Sequence, residues 1–162
     1  MKINFTFRNI VAFLAILFVC HELHEISHTA VARLQCGCWG QRDFNVWDIC
    51  NACSLEANTI LATIAGPLFT YALIWAGYFL MLKKADNSYQ SLGWVLVFAN
   101  KPFARIFTVL MKGGDETVIT RSLFSQQSLS LTTWMLEIIV VLMLIVPPLI
   151  KAWKLLKPGN RL

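Results

Sequence analysis

Charged side chains are scarce in this sequence. Asp, Glu, Lys and Arg make up 14% of the 162 residues, against 57% hydrophobic residues and a mean hydropathy of +0.59. A soluble domain usually carries about 25% charged residues, so the deficit points to a lipid bilayer as the solvent. Also missing is any aromatic-interleaved basic patch. The formal charge of +5 therefore does not indicate nucleic acid; the basic residues stand mainly at the ends of apolar runs, where they set orientation. No small-x-small cleavage site follows the apolar run after Lys2 and Arg8, so this stretch reads as a retained helix rather than a removed signal peptide. Repeats and low-complexity tracts are lacking too, and the length allows one domain.

What is present is a set of four apolar stretches, at about residues 10–34, 59–82, 92–111 and 131–150. Each is near the roughly 20 residues that cross a bilayer as a helix. The expected fold is an all-α membrane helix bundle, residues 1–162 forming one membrane-embedded domain with a cysteine-rich loop between the first two spans. The third stretch is interrupted by Lys101, Pro102 and Arg105, and Pro102 is expected to kink it. Pro147-Pro148 is expected to end or bend the fourth. With four spans, Lys2, Arg8, Lys83, Lys84, Lys151, Lys154, Lys157 and Arg161 share one side, and Arg33, Arg42, Lys112 and Arg121 the other. This excess favours cytoplasmic termini in a cell or inner membrane. Whatever the orientation, the end of span one, the start of span two and the end of span three meet the same membrane face.

The three histidines of the chain, His21, His24 and His28, fall within eight residues of the first stretch. On a helix, positions four apart share a face, so His24 and His28 can point two imidazoles at one ion. Glu25 follows the first of them and can reach a water on that ion, which is the zincin arrangement of two histidine ligands and a carboxylate general base. A chance HExxH in a soluble helix often means nothing. Inside a membrane helix, however, His21, Glu22, His24, Glu25 and His28 would each be costly to bury without a role. Helix–helix ion pairing accounts for one or two such residues and not easily for five.

Zinc needs a third protein ligand and an open position. Asp115, at the end of span three on the histidine face, is the best placed, and Gly113-Gly114 before it lets the backbone approach closely. Glu116, Asp48, Glu56 and His21 are the alternatives. Two histidines and a carboxylate suit zinc.

These residues resemble the site-2 protease family of intramembrane zinc metalloproteases. The resemblance rests on His24-Glu25-Ile26-Ser27-His28 in the first core helix, Ala65-Gly66-Pro67-Leu68 at the start of the next, and an Asp near the end of a later helix, here Asp115. It covers about residues 20 to 116. The chain departs from the family in reading Phe69-Thr70-Tyr71 where an Asn often follows Gly-Pro, and in placing Asp115 thirteen residues after Pro102 with no Gly behind it. The resemblance implies a zinc-dependent endopeptidase acting on a transmembrane protein substrate. One Zn2+ held by His24, His28 and Asp115 would activate water, Glu25 would serve as general base, and His21 or Asn100 would help with the oxyanion, with Glu22 and Glu116 around them. Substrate gating would come from the loops or from a regulatory membrane partner.

Four of the five cysteines lie between spans one and two, as Cys36, Cys38, Cys50 and Cys53. In an oxidising compartment two disulfides are the natural reading; the spacing also admits a second zinc, an iron–sulfur cluster or free thiols. Cys20, in span one, is expected to pack. The cysteine loop supports a rival reading, a membrane thiol–disulfide oxidoreductase passing electrons to a quinone, and a third reading is a non-catalytic metal-binding membrane subunit. Lys101, Arg105 and Glu137 are expected to pair with one another or with Glu22, or to snorkel.

Overall fold

The computed structural model describes residues 6–43, 46–50, 56–83, 87–125 and 129–156. Among these, six helices and one short hairpin follow in the order α1 (Phe7–Cys36), β1 (Arg42–Asp43), β2 (Val46–Trp47), α2 (Glu56–Leu82), α3 (Asn87–Ala99), α4 (Pro102–Leu110), α5 (Gly114–Leu123) and α6 (Leu131–Leu156). The all-α bundle expected from the apolar stretches is the observed one.

α1 is longer than its apolar stretch. Thr6 caps it by accepting from the Asn9 N–H at 3.3 Å, and Gly37, at φ 73°, ends it in the left-handed conformation with its N–H on the Arg33 carbonyl. Its 30 residues extend for about 45 Å at 1.5 Å per residue. The first half turns Phe7, Leu14 and Phe18 outward. The second half turns His24, Glu25, His28 and Thr29 inward.

Among the described residues, three helices are long and apolar enough to cross a membrane: Phe7–Cys36, Ile60–Leu82 and Leu131–Leu156. The chain from Asn87 to Leu110, with Gly114–Leu123 bent from it by 52°, makes a fourth candidate. The third apolar stretch is thus not one clean helix. Lys101 adopts a left-handed φ of 51° and Pro102 opens α4 as its first residue, where a missing N–H costs nothing. The sharper bend comes later, at Met111 to Gly113, and Gly114 completes it with φ +81°, a conformation that disfavours any Cβ.

Pro147 and Pro148 do not end the last helix. α6 runs through both to Leu156, because neighbouring helices in a bundle hold the freed carbonyl turn in place.

The bundle closes through small residues. A Cβ on Gly77 would come within 2.6 Å of the Gly93 carbonyl oxygen, and one on Gly93 would strike the Gly77 carbonyl oxygen in turn, so α2 and α3 meet backbone to backbone, the usual close packing of membrane helices. Ile74, Met81, Val97 and Ala152 pack beside that contact. A second cluster, Val109, Val141 and Ile145, joins α4 to α6, and the Trp134 indole N–H donates to the Val109 carbonyl at 2.9 Å. This framework fixes the far end of α4, from which the Gly113-Gly114 turn swings α5 toward α1.

In the cysteine loop, Cys38 and Cys50 form a disulfide across the β1–β2 hairpin. Cys36 is also disulfide-bonded, and Cys53 lies outside the described residues. Glu56 begins α2, and its side chain lies outside the described residues as well.

Candidate metal centre

Helix α1 presents His24 and His28 one turn apart, and both are buried. Their Nε2 atoms stand 3.1 Å from each other. Asp115, in the first turn of α5, brings Oδ2 to 3.1 Å from His24 Nε2 and 3.7 Å from His28 Nε2. Zinc bonds of 2.0–2.1 Å at tetrahedral angles set neighbouring ligand atoms about 3.3 Å apart. The three edges here match that size, and these three residues form the group among the described residues that could hold a metal ion.

The hydrogen bonds behind the rings orient them. His28 Nδ1 lies 2.7 Å from the Ala62 carbonyl oxygen. A carbonyl only accepts, so Nδ1 carries the proton and donates, and the Nε2 of the neutral ring is left with its lone pair. His24 Nδ1 lies 2.9 Å from the Thr70 hydroxyl, and donation from Nδ1 to that oxygen frees its Nε2 in the same way. Two imidazole lone pairs and a carboxylate oxygen then converge, a donor set suited to a metal ion. A second hydrogen bond on the far ring nitrogen is also the usual support of a metal-binding histidine.

Gly66 makes the approach of α1 to α2 possible. A Cβ there would collide with His28 Nε2 and stand 2.7 Å from His24 Cε1. Pro67 follows it within α2, lacking the N–H that would bond the carbonyl one turn back. The Trp47 ring of the hairpin stacks on His28 at 4.6 Å and 8°. The Cys38–Cys50 bridge and the Asp48 N–H to Gln41 carbonyl bond of 2.9 Å hold that hairpin shut.

Arg105 of α4 stands beside the ligands. Its Nη1 is 3.3 Å from Asp115 Oδ2 and 3.2 Å from Glu116 Oε1. Its Nη2 is 3.0 and 3.1 Å from the two ring nitrogens of His24. An atom equidistant from both nitrogens would strike Cε1 if it lay in the ring plane, so Nη2 lies over the ring face and leaves the in-plane lone pair of Nε2 unobstructed. Glu116 is buried, accepts from the Tyr71 hydroxyl at 2.9 Å and pairs with Arg105; it steadies the centre without joining it.

A cleft of about 360 Å³ opens on the Arg105 side, lined by His21, Glu25, Asn100, Lys101, Arg105 and Asp115 among others. Glu25 is buried there, beside His24. Cys20 is buried, as expected of a packing residue, and its free thiol also lines this cleft.

The remaining expectations divide. His21 is half-buried in the cleft wall, its ring 6.5 Å from that of His24. Asn100 lines the cleft too, with one amide N–H given to the Leu96 carbonyl at 2.7 Å. Glu22 is half-buried and outside the cleft lining. Asp48 is exposed and accepts from the Ile49 N–H, which takes it out of the ligand set. The expected pairing of Lys101, Arg105 and Glu137 with one another is not what forms: Arg105 takes the two acidic residues of α5, and Glu137 accepts from the Thr117 hydroxyl at 2.7 Å. Ala62 and Trp47 had no place in the reading of the sequence, and Thr70 and Tyr71 entered it only as a departure from the family pattern, with no role at the site. The signal for Ala62 and Thr70 was the four-residue spacing of Ala62, Gly66 and Thr70.

No protein family, curated protein or solved structure matches the chain.

Proposed function

We propose that this protein is an intramembrane zinc endopeptidase. The observation that carries the reading is the convergence of three acceptor atoms, His24 Nε2, His28 Nε2 and Asp115 Oδ2, with edges of 3.1, 3.7 and 3.1 Å, beside a buried carboxylate in an open cleft. Two nitrogens and one carboxylate oxygen suit zinc, and three protein ligands leave the open position of a catalytic rather than a structural site. When bound, the ion supplies Lewis acidity and brings the pKa of a water toward neutrality.

The side chains of the chain do the rest. Glu25 takes a proton from the attacking water onto its carboxylate and returns one to the leaving amine. Arg105, over the His24 face and at the cleft wall, offers positive charge to the oxygen of the tetrahedral adduct. Thr70 and Ala62 hold the two imidazoles in the orientation that exposes Nε2. The membrane setting makes a transmembrane segment the natural substrate, and it must unwind locally because a helical peptide bond is shielded.

The thiol oxidoreductase reading is the weaker one, because Cys38–Cys50 staples a hairpin against His28 and so has a structural use. A non-catalytic metal-binding subunit would share the ligands but has no need of Glu25. The test uses Glu25→Gln in lipid nanodiscs with a quenched-fluorescence membrane-helix peptide carrying a central Gly-Asn unwinding element. Zinc content should stay at one per chain while cleavage is lost. Cleavage at the wild-type rate would overturn the mechanism.

A further inference from the structure

A second cavity lies on the other side of Tyr71 and Glu116 from the metal centre. Its volume is about 380 Å³, and α2, α5 and α6 wall it with Ile64, Pro67, Leu68, Leu123, Leu136 and Val140 among others. Leu68, Leu123 and Leu136 are at least half exposed, so the apolar rim opens sideways, toward the lipid of a membrane-embedded chain.

Tyr71, Glu116, Thr120, Thr133 and Glu137 are the polar residues of this lining, and the first four have hydrogen-bond partners within the chain. Glu137 is only 6% exposed and lines the cavity. Its Oε1 accepts from Thr117, while its Oε2 is buried with no hydrogen-bond partner. A buried carboxylate oxygen without a donor is costly, and within a membrane such a residue marks a functional site by default. A largely apolar groove open to lipid, with Glu137 Oε2 as the unsatisfied acceptor among its described lining residues, fits an occupant that is apolar along its length and brings one donor.

We propose that this groove docks a membrane-spanning helix of the substrate, which offers Glu137 a hydroxyl or ammonium group. The position favours a helix over a lone lipid. The groove shares Pro67 with the turn that carries Gly66, and Glu116 with the acidic pair that carries Asp115, so a segment held there runs beside the metal centre. As an identification of substrate class, this rests on the endopeptidase reading.

The test places a photo-crosslinking benzoylphenylalanine at Leu136, or at Leu14 of α1 as a site away from the groove, in the full chain in nanodiscs. The probes are synthetic 23-residue Leu/Ala helices that differ at one central position, Lys, Ser, Leu or Asp. Interhelical polar contacts in membranes are worth enough to enrich the Lys and Ser helices over the Leu helix by about 5-fold. That enrichment should occur at Leu136 and not at Leu14. Glu137→Leu should abolish it for both donors, and Glu137→Gln should abolish it for Lys while sparing Ser. Equal capture of all four helices, capture of lipid alone, or enrichment that survives Glu137→Leu would overturn the proposal. Crosslinking needs no metal, so the enrichment persists with zinc stripped. Failure of the endopeptidase reading would appear instead in zinc content and peptide cleavage.

Discussion

Gly66→Ala is the sharpest perturbation of the metal centre. The added methyl group would collide with His28 Nε2 and stand 2.7 Å from His24 Cε1. Carbon atoms settle at about 3.5–4.0 Å, so His24 must retreat by about 0.8 Å, and His28 by more. A metal site tolerates ligand displacements of about 0.2 Å. Neither ring can withdraw freely, because Ala62 and Thr70 hold their rear nitrogens and Trp47 covers His28. Overpacking of this kind costs about 1–3 kcal/mol of stability. The loss of zinc affinity should be larger, at least about 100-fold, since even changes to supporting hydrogen bonds cost 10–100-fold. The assay is competition for zinc against a chromophoric chelator, with purified protein in nanodiscs and thermal unfolding followed in parallel. Gly77→Ala is the control: its methyl group would meet the Gly93 carbonyl oxygen, so it should lower stability and leave the zinc affinity of the folded protein unchanged. Wild-type zinc affinity in folded Gly66→Ala would refute the assignment of His24 and His28 as ligands of one ion.

Thr70→Val removes the partner of His24 Nδ1 and should weaken zinc binding by about 10–100-fold, while Thr70→Ser should restore most of it; the same competition assay decides. Zinc supplied at 1,000 times its dissociation constant should stabilise the chain by about 4 kcal/mol, visible as a raised melting temperature that Asp115→Asn and His28→Asn both abolish. Cys38→Ser opens a hairpin whose bridge spans 12 residues, and such a link is worth about 3 kcal/mol. Hydrogen exchange at the hairpin amides should accelerate accordingly, and the fluorescence of Trp47 should report its release from His28.

The sequence made the helical spans readable because apolar runs near bilayer length have few alternative fates. The break in the third span was legible in kind, from Lys101-Pro102, but not in place. The larger bend falls at Gly113-Gly114, where a positive φ at Gly114 rather than a proline turns the chain. His24 and His28 were legible because four-residue spacing guarantees a shared face. Asp115 was reachable from topology alone, since span ends that meet one membrane face bring their flanking residues together. Arg105 was harder. A lone basic residue in an apolar run has several ordinary fates, and only the packed coordinates show its guanidinium over His24 and against Asp115 and Glu116. The stack of Trp47 on His28 depends on how the disulfide loop folds back, which no spacing rule encodes.

Ala62, Gly66 and Thr70 show why the second helix matters although it supplies no ligand. Residues four apart form one oblique ridge on a helix surface. On α1 the ridge is His24 and His28; on α2 it is Ala62, Gly66 and Thr70. The two ridges face each other, and each position on α2 has one task. Gly66 provides the gap that the imidazoles fill, Ala62 fixes one ring through its carbonyl, and Thr70 fixes the other through its hydroxyl. A larger residue at 66 expels the rings. An apolar residue at 70 frees His24 to turn, and at 62 the backbone makes the contact but the side chain is only 1% exposed, so only a small residue fits there. Tolerance to substitution along this ridge should therefore be lowest at 66, where even Ala collides, and greater at 62, which accepts small residues, and at 70, which accepts Ser. Saturation mutagenesis scored by zinc retention would measure that order, and equal tolerance at the three positions would mean that the ridge does not hold the ligands in place.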